Sequence, residues 1–105
     1  MKSALETEFH EEMISIYYKA GHGTGYWANK FLQKVREDGG FETARQLLKP
    51  GKGLSPGLQL LAKEKRVDLS MEALVLKDPW KELFTEEEIG EARKRIEVVS
   101  RMAEI

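Results

Sequence analysis

Two histidines, His10 and His22, and a crowd of carboxylates are the residues of this chain whose types could carry a reaction. A bound metal needs three or four ligands at fixed spacing. His10-Glu11-Glu12 has no second histidine at helical spacing, and Glu6, four residues earlier, is the nearest candidate co-ligand. No metal ligand set is expected, and His10 reads as a solvated side chain on the polar side of a first helix. Glu86, Glu87, Glu88 and Glu91 bring many carboxylates together. General acid–base work needs two carboxyls held apart in unlike environments. These four fall in and just after a first helical turn, where negative charge answers the helix dipole and fills a capping box. The chain has no cysteine, which removes disulfides and thiolate ligands. No catalytic residue and no cofactor are expected, and this balance weighs against an enzyme.

Two glycine motifs invite a phosphate reading. Gly21-His22-Gly23-Thr24-Gly25 could cradle an anion through backbone N–H groups. Dinucleotide fingerprints need a strand before the glycines, and here a helical pattern precedes them. The run therefore reads as a flexible connection that ends the first helix. Lys52-Gly53 with Ser55 echoes a P-loop without its required order. Asp68 reads as structural: it could pair with Arg66, cap a helix start, or reach Arg93 or Arg95.

Charge is uneven along the chain. Between residues 45 and 66 six cations face Glu64 alone, a balance of +5. Between 67 and 91 eight carboxylates face Lys77 and Lys81, a balance of −6. Lys49, Lys52, Lys63, Lys65 and Arg66 are thus candidate contacts for phosphate or an acidic partner. They form one patch only if the helix between them folds back; a straight helix separates its ends by about 15 Å. Pairing of the basic group with the acidic segment is the simpler expectation. A helix-turn-helix reading of residues 28–48 fails on its outer face, where Glu42, Arg45 and Gln46 make a mixed set. Aromatics crowd the first glycine run: Tyr17, Tyr18, Tyr26 and Trp27. Tyr17 lies on the inner stripe of the first helix. Tyr18 stands about 100° round from it, so Tyr18 and Trp27 are candidate interface residues.

The elements that must hold these residues are all helical. Leu5, Phe9, Met13, Ile16, Tyr17 and Ala20 recur at three and four and predict a helix over 3–20. Phe31, Leu32 and Val35 mark a second over about 27–38, ended by Gly39-Gly40. A third covers about 41–48. Ser55-Pro56 starts a fourth, with serine as N-cap and proline at the first helical position. Ser70 caps a fifth over about 71–76, and Leu69 with Leu74 forms its hydrophobic staple. Thr85 and Glu88 spell a capping box, with Phe84 and Ile89 as staple, and open a last helix that reaches about Ala103. Ile89, Ala92, Ile96, Val99 and Ala103 mark its inner stripe. Val98 and Met102 lie off that stripe, so the helix is apolar on two faces, and they join the candidate interface. No segment reads as a strand.

The resulting expectation is an all-α, single-domain compact bundle of five or six short helices over residues 1–105, with the long first and last helices packed together. At 41% apolar and 33% charged residues the chain is globular rather than disordered. No apolar run is long enough to span a bilayer, and the start of the chain lacks a secretory pattern, so the cytoplasm is the expected location.

One ordered set of residues resembles a known family. Gly25-Tyr26, Gly39-Gly40, Ser55-x-Gly57, Asp68-Leu69-Ser70-x-Glu72-x-Leu74-Val75-Leu76, Leu83-Phe84-Thr85 and Ala92-Arg93-x-Arg95-Ile96 are similar to an uncharacterised family of small bacterial all-helical domains, over about residues 9–97. The loop at 21–24 is richer in glycine than that pattern. The resemblance implies a fold unit and attaches no activity to it. The leading functional expectation is a non-enzymatic protein-interaction module, possessing a helical surface for a partner or a second copy. The alternative is a nucleic-acid-binding accessory domain that uses segment 45–66.

Overall fold

The computed structural model describes residues 3–103. Six α-helices and two short 3₁₀ turns account for most of them: α1 (Ala4–Thr24), α2 (Asn29–Asp38), α3 (Gly40–Leu47), α4 (Pro56–Lys63), a 3₁₀ turn at Val67–Leu69, α5 (Met71–Val75), a second at Trp80–Leu83, and α6 (Glu86–Ala103). No strand occurs among the described residues. The fold is all-α. Its radius of gyration is 12.9 Å, close to the value of about 13 Å expected of a compact chain this long.

The helix starts follow the capping chemistry of the sequence. Ser55 Oγ accepts the Leu58 N–H at 3.0 Å, and Ser70 Oγ accepts the Ala73 N–H at 3.1 Å. At α6 the box closes in both directions: the Thr85 N–H donates to Glu88 Oε1 at 2.8 Å and the Glu88 N–H donates to Thr85 Oγ1 at 3.1 Å. Each bond satisfies a donor that a helix start leaves open.

The glycine run corrects the sequence reading. It does not break α1, which continues through Gly21, His22 and Gly23 to Thr24. Helical glycine costs about 1 kcal/mol against alanine, and tertiary packing offsets that here. The Trp27 ring lies directly on Gly21, where a Cβ would stand 2.2 Å from Cε3. Thr24 Oγ1 donates to the Ala20 carbonyl at 2.7 Å and accepts the Tyr26 N–H at 3.1 Å. The stop comes at Gly25, left-handed at φ 79°, whose N–H bonds to the Gly21 carbonyl.

His10 is a second correction. It is half-buried, not solvated, and its Nδ1 accepts the Gly40 N–H at 2.8 Å. Gly40 opens α3 against α1 so closely that a Cβ there would stand 2.6 Å from His10 Cα. The imidazole takes up one of the open donors at the start of α3 and ties the two helices together.

The long helices do not pack side by side as expected. α1 packs on α3 and α2, while α6 packs on α5 and α4. Between them lies the main core of Phe9, Met13, Val35, Leu48, Val75 and Phe84. Phe9 meets Phe84 edge-on with ring centroids 5.3 Å apart and touches Trp80 at 6.0 Å. The inner face of α6 is Ala92, Arg95 and Val99; Ala103 is exposed. No helix is long and apolar enough to cross a membrane among the described residues.

Candidate functional site

A cavity of about 500 Å³ sits where α1, α2, α4 and α5 meet. Ile16 and Ala20 line it from α1, Phe31 from α2, Leu58 and Leu61 from α4, and Met71 from α5. Its exposed lining residues, among them Lys30, Lys52, Ser55 and Pro56, mark the mouth. Volume and apolar walls place it within the usual range for small-ligand sites, about 300–1,000 Å³. Sequence reasoning gave Lys52 as a candidate contact but missed Lys30 and Lys34, which the α2 turn brings to the same opening.

One ion-pair system also forms part of the wall. Arg95 and Glu72 are both buried, at 5% exposure each, and both line the cavity. Arg95 Nη1 donates to the Leu47 carbonyl at 2.7 Å and to Glu72 Oε2 at 3.3 Å. Its Nη2 donates to the Lys49 carbonyl at 3.1 Å, and its Nε donates to Glu91 at 2.8 Å. The guanidinium therefore closes the C-terminal end of α3, whose last carbonyls have no helical partner. Burial pushes the Glu72 carboxyl above its ordinary value, against the opposing pull of its own backbone N–H and of Arg95. The sequence reading treated Arg95 only as a possible partner of Asp68. Its place between Ala92 and Val99, on the buried stripe, was the available signal.

Asp68 pairs with Arg66 instead, at 3.1 Å to Nε and 3.2 Å between Nη2 and Oδ2, and both side chains are exposed. That hydrogen bond holds the Asp68 carboxyl below its ordinary value. Arg45 likewise pairs with Glu88 at 3.0 Å. Partial burial raises the Glu88 carboxyl, and the Thr85 N–H bond together with Arg45 outweighs it, leaving a net depression. Two cations of the basic segment thus meet carboxylates of the acidic one. Lys49, Lys52, Lys63 and Lys65 are exposed. Because α4 runs unbroken from Pro56 to Lys63, Lys52 and the Lys63–Arg66 group stand at opposite ends of a helix about 12 Å long.

The aromatics form a cluster at the end of α1. Tyr17 meets Tyr18 edge-on at 5.0 Å and Trp27 at 5.5 Å; Trp27 also meets Tyr18 at 6.3 Å and His22 at 5.0 Å. Tyr17 is buried and donates its hydroxyl to Asn29 Oδ1. Tyr18 and Trp27 stay 43% and 39% exposed, and on α6 Val98 and Met102 stay 38% and 49% exposed. These four are the exposed large hydrophobics among the described residues. A smaller recess of about 170 Å³ is lined by Glu6, His10, Asp38 and Glu42 among others. No group of three or more histidine or carboxylate side chains is placed to hold a metal ion among the described residues.

No family model, curated protein or solved structure matches this chain.

Proposed function

We propose that this protein is a non-enzymatic interaction module that holds a protein partner on the face where Tyr18 and Trp27 stand. The observation that carries the reading is the aromatic cluster. Trp27 and Tyr18 expose large ring surface while Tyr17 and Gly21 hold them from behind. Rigid, half-exposed Tyr and Trp are the side chains that most often anchor protein interfaces. Val98 and Met102 add exposed apolar surface on α6, suited to a second contact or a second copy. The titratable groups speak for binding rather than chemistry. Arg95 spends its donors on two carbonyls and two carboxylates. The nucleic-acid reading of segment 45–66 is weakened by the pairing of Arg45 and Arg66 with acidic residues.

The test is co-purification from the native cell with tagged wild type and a Tyr18→Glu variant, which leaves Trp27 over Gly21. A partner retained by the wild type and released by a variant of unchanged melting temperature is expected. A partner set that ignores the substitution overturns the reading.

A further inference from the structure

We propose that the cavity between α1, α2, α4 and α5 binds one small amphiphile: a single aliphatic chain bearing an anionic head, the chemistry of a free fatty carboxylate.

Three observations converge on that ligand. The first is the wall. Ile16, Phe31, Leu58, Leu61, Leu69 and Met71 present carbon to a space of about 500 Å³. Apolar pockets far smaller, about 150 Å³, already take up hydrocarbon guests, and water against such walls is released at a gain when a chain enters. Met71 adds an unbranched side chain that adapts to a flexible guest.

The second is charge. Lys30, Lys34, Lys52 and Arg95 line the cavity against Glu72 alone, a balance of +3. Arg95 is answered inside by Glu72 and, from beyond the lining, by Glu91, so it is not free for a guest. Lys34 shares its charge with Asp38 at 3.1 Å. Lys30 and Lys52 are exposed at the mouth and pair with no carboxylate among the described residues. An anion at the mouth meets two uncommitted ammonium groups, and a cation meets repulsion.

The third is that the polar groups of the interior are already satisfied: no buried side-chain nitrogen or oxygen lacks a partner among the described residues. None of these buried side-chain groups is left waiting for a polar guest. A guest that is polar only at its mouth end fits both halves of the site. The cavity adjoins the partner face through Tyr17 but is not lined by Tyr18 or Trp27, so Tyr18→Glu tests the partner face and the lysine pair tests the cavity.

Trp27 supplies the readout. Tyr26 and Ala28 on either side of it line the cavity, and so does Tyr17, which packs on its ring. In a Trp80→Phe background Trp27 is the sole indole. Decanoate titrated below its micellar concentration should change Trp27 emission at one molecule per chain and raise the melting temperature. Decyltrimethylammonium, with the same chain and opposite head, should bind about tenfold or more weakly. Lys30→Gln with Lys52→Gln, both at exposed positions, should weaken decanoate by about tenfold or more and leave the melting temperature of the free protein unchanged. Ala20→Leu, which fills the cavity from α1, should abolish binding. Decanoate that fails to bind, heads of either sign binding alike, or binding untouched by the lysine pair or by Ala20→Leu overturns the proposal. Binding only to anionic phospholipid vesicles, and not to decanoate, does so too, because it would place the chemistry in a bilayer surface and not in the cavity.

Discussion

The Glu72 carboxyl sits in a carbon-walled cavity beside a guanidinium that already holds Glu91 more closely, at 2.8 Å against 3.3 Å. Burial is the larger influence and raises its pKa. Between the ordinary glutamate value and this raised one, the folded state keeps a proton that the unfolded chain has released. Stability therefore falls as pH rises through that window. Glu72→Gln keeps an acceptor for Arg95 and removes the titration. Urea denaturation at intervals from about pH 4 upward should show the variant gaining on the wild type as pH rises. A constant difference, or one that moves the other way, would mean that Arg95 holds the carboxylate ionised throughout. Lys65 offers a second test at this scale. It is the one non-glycine residue with positive φ, at 60°, among those described. It occupies the left-handed position of a Schellman ending, in which the Arg66 N–H reaches the Leu61 carbonyl and the Lys65 N–H reaches the Ala62 carbonyl. Left-handed backbone costs a side-chain-bearing residue about 1–2 kcal/mol, part of which glycine gives back in chain entropy. Lys65→Gly should stabilise the fold by up to about 1 kcal/mol, read as a higher urea midpoint at unchanged slope.

Among the elements, those whose ends are written in side chains were legible and those whose ends are set by tertiary contact were not. Ser55-Pro56, Ser70 and Thr85-x-x-Glu88 each name a helix start, and α4, α5 and α6 begin where they say. The glycine run at 21–25 misled because propensity spoke for a break while Trp27, lying on Gly21, made a continuous helix the better packed state. The same holds at Gly40, where the ring of His10 stands in for a missing cap. The cavity was not legible at all: Lys30, Phe31, Leu61 and Glu72 share it only because α2, α4 and α5 converge. The capping box gives the element-scale prediction. Thr85 is exposed, and its substitution by alanine removes one helix-start bond, a loss of about 1 kcal/mol. Phe84, next to it, is 8% exposed and packs against Phe9 and Phe41. Phe84→Ala should cost more, about 3 kcal/mol. Equal losses in thermal or urea melts would show that Phe84 contributes as a staple and not as part of the core.

At the scale of the whole molecule, the charge asymmetry along the chain is folded back on itself only in part, at two of the six cations of 45–66. The basic stretch 45–66 and the acidic stretch 67–91 meet through Arg45 with Glu88 and Arg66 with Asp68. The cations left over are divided, with Lys49 and Lys52 before α4 and Lys63 and Lys65 at its far end. Non-specific binding to a nucleic-acid backbone rests on several phosphates being neutralised at once, and its affinity falls steeply with salt in proportion to their number. Two lysines at one end and a partly paired group at the other give a short and broken track for such a backbone. Titration with a duplex or a single strand at low salt should accordingly give weak binding or none, gone at physiological ionic strength. Lys52→Gln, Lys63→Gln and Lys65→Gln together should leave the melting temperature within about 0.5 kcal/mol equivalent of the wild type, as surface substitutions do. Tight binding with a steep salt slope that this triple variant flattens would show that the two ends of α4 act as one surface, and would move segment 45–66 from a solvated face to the working face of the protein.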